Sequence, residues 1–187
     1  ENGTKEATIT VTADSDSIIE TDSTTAITAE VSSDAGTIEK PVVNAGELTV
    51  EDSIDTTTVT VGDVTVDEDA TSAKVDVKLE GHDFKTGETV TVKLSDGTEV
   101  TFTENGSKDA TFTFDANSDS IIEDDATSSI DATVASSEGT IESPSVTTGT
   151  LTVTDTIDTT TVSVGDASVN EDASSATVEV TLAGHDF

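Results

Sequence analysis

Acidic side chains are concentrated in three short phrases of this sequence, VDEDA, NSDSIIEDD and TVTDTID. These phrases supply the carboxylate and amide side chains of Asp67, Glu68 and Asp69, then of Asn117, Asp119, Glu123, Asp124 and Asp125, and finally of Asp155. Two carboxylates about 4 Å apart repel by roughly 4 kcal/mol at an effective dielectric of 20, so converging acids call for a cation. Hard oxygen ligands in flexible loops favour calcium over magnesium or zinc.

The acidic phrases lie between segments in which apolar residues alternate with polar ones, which is the period of a β-strand. In residues 54–156 this alternation predicts about seven short strands. The pair Gly62-Asp63 is predicted to bend the first strand so that it changes partners, and Asp96-Gly97 to form a hairpin turn. The sequence therefore predicts an all-β fold, an immunoglobulin-like antiparallel β-sandwich, with a small closed barrel as the alternative.

Following the strands up and down brings the three acidic phrases to one end of the sandwich, the acidic pole. The opposite pole receives Asp55, His82 and Asp83, of which the two aspartates are further candidate ligands. Aspartates in loops are also explained as ordinary turn residues, and Asp63 and Asp96 fit that interpretation. No EF-hand or glycine-rich calcium motif occurs in the sequence, so no motif assigns individual ligands.

The sequence also repeats itself. Residues 1–84 align with residues 104–187 without a gap, and 53 of these 84 positions are identical by direct comparison. Such identity predicts a tandem array, with the C-terminal part of one repeat in 1–53, a complete repeat in 54–156 and the N-terminal part of the next in 157–187. The acidic pole of one repeat is then expected to meet the opposite pole of the next. The first part adds candidate ligands at Asp14, Asp16, Glu20 and Asp22.

Composition narrows the classes of partner and chemistry. A formal net charge of −33, from 40 Asp and Glu against 7 Lys and Arg, argues against nucleic acid and anionic membranes as partners. The absence of Cys excludes disulfides and thiolate metal sites. His82 and His185 share the phrase GHDF, but no catalytic motif accompanies them, so the chain is not expected to be an enzyme. His82 is instead expected to pack beside Phe84.

Several phrases carry a resemblance. TDTIDTTTV, VNEDASSATVEVTL and SDSIIEDD resemble the extender repeats of giant RTX-type adhesins of Gram-negative bacteria, in particular the calcium-dependent, immunoglobulin-like repeats of marine ice-binding adhesins. The last two phrases are also similar to Calx-beta domains. The resemblance implies bound Ca²⁺ at the repeat junctions and at the acidic pole. The residues it implicates are Asp52, Asp55, Asp155 and Asp158 at the junctions, and Glu68, Asp69, Asp119, Glu123 and Asp125 at the pole.

The same resemblance implies a spacer outside the cell. Such repeats are exported by type I secretion and project a distal region, which binds ice or another surface, away from the bacterial cell. Their direct partners are the neighbouring repeats of the same chain, with no insertion into the membrane. The alternative is a calcium-dependent adhesive or ligand-binding module of the cadherin kind, which would need an exposed apolar or aromatic patch.

Overall fold

A computed structural model describes residues 5–13, 15–115 and 118–187. These residues form 14 β-strands, and no helix long and apolar enough to cross a membrane occurs among them. The strands are β1 (Ser23–Ile27), β2 (Gly46–Val50), β3 (Thr58–Val61), β4 (Val64–Asp67), β5 (Ser72–Glu80), β6 (Val90–Leu94), β7 (Glu99–Phe102), β8 (Gly106–Thr113), β9 (Ala126–Ile130), β10 (Ala132–Ser136), β11 (Ser145–Thr147), β12 (Gly149–Thr154), β13 (Thr161–Val164) and β14 (Val180–Ala183). The predicted all-β fold class is confirmed.

Strands β3 to β12 build the sandwich of residues 54–156. One sheet has the order β11-β3-β5-β8. The facing strands have the orders β4-β12-β9 and β10-β6-β7, and only Asp131 separates β9 from β10. Three of the seven predicted strands are each interrupted once and appear as two consecutive strands, namely β3 and β4, β9 and β10, and β11 and β12. The ten strands therefore correspond to the seven that the sequence predicts.

The core lies between these sheets and follows the alternation of the sequence. Strand β5 shows it most clearly, since its inward residues are buried and its outward residues include Lys74 and Asp76. The buried core consists of Val59, Val61, Ala73, Val75, Val77, Leu79, Val90, Val92, Leu94, Val100, Phe102, Ala110, Phe112, Ile130 and Leu151. Each fully buried aliphatic or aromatic side chain contributes about 1.5–3 kcal/mol relative to an exposed one.

The first strand path changes partners at Gly62, as predicted. Before it, β3 pairs antiparallel with β5; after it, β4 pairs parallel with β12. The Asp63 carboxylate accepts a hydrogen bond from the Thr150 backbone N–H at 2.7 Å, which ties the bend to β12. A Cβ on Gly149 would lie 2.4 Å from the Gly62 carbonyl oxygen, so only glycine permits this close approach.

Two further strand pairs lie outside the sandwich. Strand β1 pairs with β2, and β13 pairs with β14, both antiparallel. Their apolar residues are largely exposed, for example Val162 at 62% and Val180 at 63%. These pairs lack most of the strands that cover their counterparts in the sandwich.

Candidate functional site

Three acidic loops converge on a small cavity at the acidic pole. Strands β4 and β12 are parallel neighbours, so the residues that follow them, Glu68 and Asp155, emerge side by side. The loop before β9 adds Glu123 and Asp124. These four acids line a cavity of about 60 Å³. The topology therefore brings together residues that are 87 positions apart, Glu68 and Asp155, as the strand count predicts.

Among the described residues, one carboxylate oxygen at this cavity has no hydrogen-bond partner. The buried Glu68 carboxylate accepts a hydrogen bond from the Thr156 backbone N–H at 3.2 Å, and its own N–H donates to the Thr154 carbonyl oxygen. The Asp155 Oδ1 atom is buried and has no hydrogen-bond partner among the described residues. A buried carboxylate oxygen without a donor is costly, and a hard cation would satisfy it.

The other acids predicted at this pole hold the surrounding loops. Their carboxylates accept hydrogen bonds as follows: Asp67 from Thr154 Oγ1, Asp69 from Ser118 Oγ at 2.6 Å, Asp119 from the Ile121 N–H at 2.8 Å, and Asp125 from the Asp155 N–H at 3.4 Å. Within the described part of the chain, no three His, Asp or Glu side chains are gathered closely enough to form a metal site. The acids thus share a pole without forming one ligand shell.

A related cavity lies in the first segment of the chain. It has a volume of about 170 Å³, and Asp16, Glu20 and Asp52 contribute to its lining. The Asp52 carboxylate accepts a hydrogen bond from the Glu20 N–H at 3.1 Å, and Asp22 accepts one from the Asp52 N–H at 3.1 Å. Glu20 and Asp52 correspond to Glu123 and Asp155 in the repeat. Asp14, the remaining predicted ligand, lies outside the described residues.

The opposite pole of the sandwich contacts the first segment of the chain. A cleft of about 340 Å³ lies there, and its acidic lining consists of Asp16, Asp55 and Asp83. The Asp55 backbone N–H donates to the buried Glu142 carboxylate at 2.7 Å. The equivalent cleft near the C-terminal segment, about 380 Å³, has Asp158 and His185 in its lining.

Sequence reasoning missed a buried network beneath this pole. His82 is 1% exposed and Glu88 is 2% exposed, and His82 Nε2 lies 3.2 Å from Glu88 Oε1. Ser136 and Thr140 donate their hydroxyls to the same carboxylate, and so does the Lys85 backbone N–H. Burial raises the pKa of Glu88, but these hydrogen bonds outweigh it and lower the pKa to about 2. The carboxylate is therefore ionised and serves as a hydrogen-bond acceptor within the fold.

The imidazole of His82 is a structural group in this arrangement. It contacts the Phe84 ring edge-on, with centroids 4.8 Å apart, as the sequence predicts. Its backbone N–H and C=O both bond to the Asn105 side chain. From the sequence, Glu88 is expected to be an ordinary solvated acid in a loop, because no nearby motif or periodicity distinguishes it from its neighbours. Only the tertiary structure brings it under His82.

Asp96 keeps the turn role that its type suggests. Burial raises its pKa, whereas hydrogen bonds from the N–H groups of Thr113 and Thr98 and from their hydroxyls lower it, and the net shift is downward. It closes the β6–β7 hairpin, where Gly97 has a φ of 93°. This confirms the predicted turn at Asp96-Gly97.

Comparison with known proteins adds no family to this description. No protein-family model matches the chain, and no curated protein matches it either. The resemblance to RTX adhesin extender repeats therefore remains a prediction from the sequence phrases.

Proposed function

We propose that this chain is a calcium-stabilised structural extender of a large bacterial cell-surface adhesin, secreted by a type I pathway. In this proposal the repeats act outside the cell as a spacer without enzymatic activity. Their partners are the neighbouring repeats, and another region of the parent protein binds ice or another surface. The acids at the acidic pole and at the repeat junctions bind Ca²⁺.

The observation that carries this proposal is the acidic cavity with its unpartnered oxygen. Among the described residues Asp155 Oδ1 is buried without a donor, in a cavity that Glu68, Glu123 and Asp124 also line. The available ligands there are oxygens, which suits calcium and disfavours zinc. Calcium also tolerates irregular geometry, so oxygens from three separate loops can serve as its ligands once the loops bring them together.

The charge and the repetition support the spacer role. A net charge of −33 on 187 residues keeps the chain soluble and makes its stability sensitive to divalent cations. A spacer needs length and uniform units rather than one unique site, and near-identical repeats supply both. Ca²⁺ at the junction acids Asp52, Asp55, Asp155 and Asp158 would stiffen the connection between units.

A thermal melt followed by circular dichroism tests the calcium part of this proposal. The protein is compared in EDTA, in about 10 mM Ca²⁺ and in equal Mg²⁺, well above the roughly 10⁻⁴–10⁻³ M dissociation constants of extracellular calcium modules. A ligand at 10 to 100 times its dissociation constant stabilises by about 1.4 to 2.7 kcal/mol, which raises Tm by roughly 5 °C or more in a domain of this size. Equal melts in all three conditions would contradict calcium binding.

Two variants locate the effect. Asp155→Asn removes the charge of the Asp155 carboxylate at this cavity, so we expect it to abolish most of the calcium-dependent rise in Tm. Asp109→Asn is the matched control, because Asp109 is an exposed acid paired with Lys74 away from both poles. A tight soluble partner captured by the protein in Ca²⁺ would instead favour the alternative, an adhesive binding module.

A further inference from the structure

A reciprocal hydrogen-bonded contact joins the first segment of the chain to the sandwich. The Ser17 backbone N–H and hydroxyl both donate to Asp83 Oδ2, at 3.1 and 3.3 Å. In return, the Asp83 backbone N–H lies 2.7 Å from Ser17 Oγ. Ser17 is 9% exposed although it belongs to a loop. The two residues are 66 positions apart and lie on opposite sides of the repeat boundary.

The same contact recurs at the second repeat boundary. Ser120 Oγ lies 3.2 Å from Asp186 Oδ2, and the Asp186 backbone N–H donates to Ser120 Oγ at 2.7 Å. These residues are the counterparts of Ser17 and Asp83 in the repeat. Two independent copies of one geometry indicate that the contact is encoded in each unit.

At the first boundary the contact continues into a backbone pairing. Ile18 forms an antiparallel bridge with Ile141, and the Ile19 N–H donates to the Thr140 carbonyl oxygen at 3.2 Å. Ile18 is thereby 7% exposed, whereas its counterpart Ile121 is 40% exposed. Among the described residues Ile121 forms no such bridge, so the serine–aspartate pair at the second boundary forms without it.

Asp83 and Thr140, which contact the first segment, are both connected to the buried network of His82 and Glu88. Asp83 follows His82 directly, and Thr140 donates its hydroxyl to Glu88, the partner of His82. The loop before Asp83 is fixed as well, because Gly81 has a φ of +73° and packs closely against the Thr56 carbonyl oxygen. The receiving surface is thus held by contacts within the sandwich as well as by the segment itself.

We propose that residues 17–19 are a docking segment whose partner is the surface formed by Asp83 and Thr140–Ile141 of the adjoining unit. This contact sets the orientation between successive units through hydrogen bonds and apolar burial, without a bound cation. It does not depend on the proposed calcium function. Successive units are therefore oriented even in EDTA, and cations act on an arrangement that already exists.

Spin-label distance measurements on the full chain test this inference. The chain has no cysteine, so labels can be attached at Thr24→Cys and Thr101→Cys to span the first boundary, or at Thr101→Cys and Thr181→Cys to span the second. All three positions carry exposed side chains. In EDTA we expect one narrow distance distribution across the first boundary.

Removing either partner should release the first boundary. We expect Asp83→Ala and Ser17→Ala each to raise the undocked fraction roughly two- to tenfold, the ratio that corresponds to about one net hydrogen bond. The double variant should add little to Asp83→Ala, because both residues belong to one contact. The Tm of the sandwich should stay unchanged, since neither residue is part of its core.

Asp186→Ala is the matched control. It removes the same carboxylate at the second boundary, so it should broaden the Thr101–Thr181 distribution and leave the Thr24–Thr101 distribution narrow. An unchanged Thr24–Thr101 distribution in both Asp83→Ala and Ser17→Ala would overturn the inference, and so would a distribution that is broad in the unmodified protein until Ca²⁺ is added. Neither result depends on whether Ca²⁺ raises Tm.

Discussion

Two strand pairs of this chain have nearly the same sequence and the same register, but very different surroundings. In the sandwich, β3 aligns Val59 with Leu79 of β5; near the C-terminus, β13 aligns Val162 with Leu182 of β14. Val59 and Leu79 are 0% exposed, whereas Val162 is 62% and Leu182 is 49% exposed. The difference shows that local alternation sets strand register, while burial depends on the strands that cover the pair.

The other flanking pair leads to the same conclusion. Strand β1 aligns Ile27 with Gly46 of β2, which is the register of Ile130 and Gly149 in β9 and β12. Ile130 is fully buried, but Ile27 is only partly covered. An isolated two-stranded pair is marginally stable in water, so the flanking pairs should open far more often than the sandwich.

The largest expected difference between the two surroundings is at the leucine. Leu79→Ala should lower the free energy of unfolding of the sandwich by about 3 kcal/mol, because it leaves a cavity in a fully buried site. Leu182→Ala, the same change at the half-exposed counterpart, should alter it by less than about 0.5 kcal/mol. Urea unfolding followed by circular dichroism measures both. Similar losses in the two variants would mean that β13–β14 is part of the cooperative unit.

Two equivalent glycines, one in the sandwich and one in the C-terminal segment, allow the same comparison for the backbone. Gly81 and Gly184 have φ angles of +73° and +74°, and a Cβ on either would lie 2.6 Å or less from a carbonyl oxygen. Gly81→Ala should destabilise the sandwich by about 2 kcal/mol, from the strained φ and the displaced Thr56 carbonyl. Gly184→Ala meets the same local strain, but the main unfolding transition should hardly change. A main transition shifted equally by both variants would contradict this expectation.

Glu88 lies in the sandwich and has no counterpart in the flanking segments, so its titration tests the stability of the sandwich alone. Its pKa is about 2 in the folded protein, below the ordinary value of 4.5. A lowered folded-state pKa contributes stability above the unfolded pKa and loses it as pH falls, so about 2 kcal/mol should disappear between pH 4.5 and 2. The free energy of unfolding, measured by urea titration across this range, should fall steeply.

Glu88→Gln removes this titration and serves as the comparison. The variant should show a shallower slope of unfolding free energy against pH between 4.5 and 2, whatever its stability at neutral pH. Asp96, whose pKa is also lowered, keeps part of the slope in both proteins. Identical slopes would mean that the pKa of Glu88 in the folded protein is not below its pKa in the unfolded chain.

These examples define what the sequence could predict. Alternating Val residues predicted the strands, and Gly62-Asp63 predicted where the first strand changes partners. The convergence of Glu68 with Asp155 followed from counting strands. The Glu88–His82 pair could not be predicted, because its two members lie in one loop with no periodic pattern and become partners only through burial. The exposure of Val162 could not be predicted from its own strand, which nearly repeats that of Val59, because it depends on distant neighbours that the partial repeat in residues 157–187 was expected to lack.

The smallest expected effect concerns an ion pair of the sandwich whose lysine is not repeated in the C-terminal segment. Lys74 and Asp109 lie 2.5 Å apart with side chains 74% and 56% exposed, and the counterpart of Lys74 in the repeat is Thr177. Lys74→Thr copies that counterpart, and the unfolding free energy should change by less than about 0.5 kcal/mol, since solvent and salt screen exposed pairs. A loss above about 1 kcal/mol in urea unfolding would show that this charge pair helps hold β5 to β8. A negligible loss would leave apolar burial as the difference that matters between two otherwise equivalent strands.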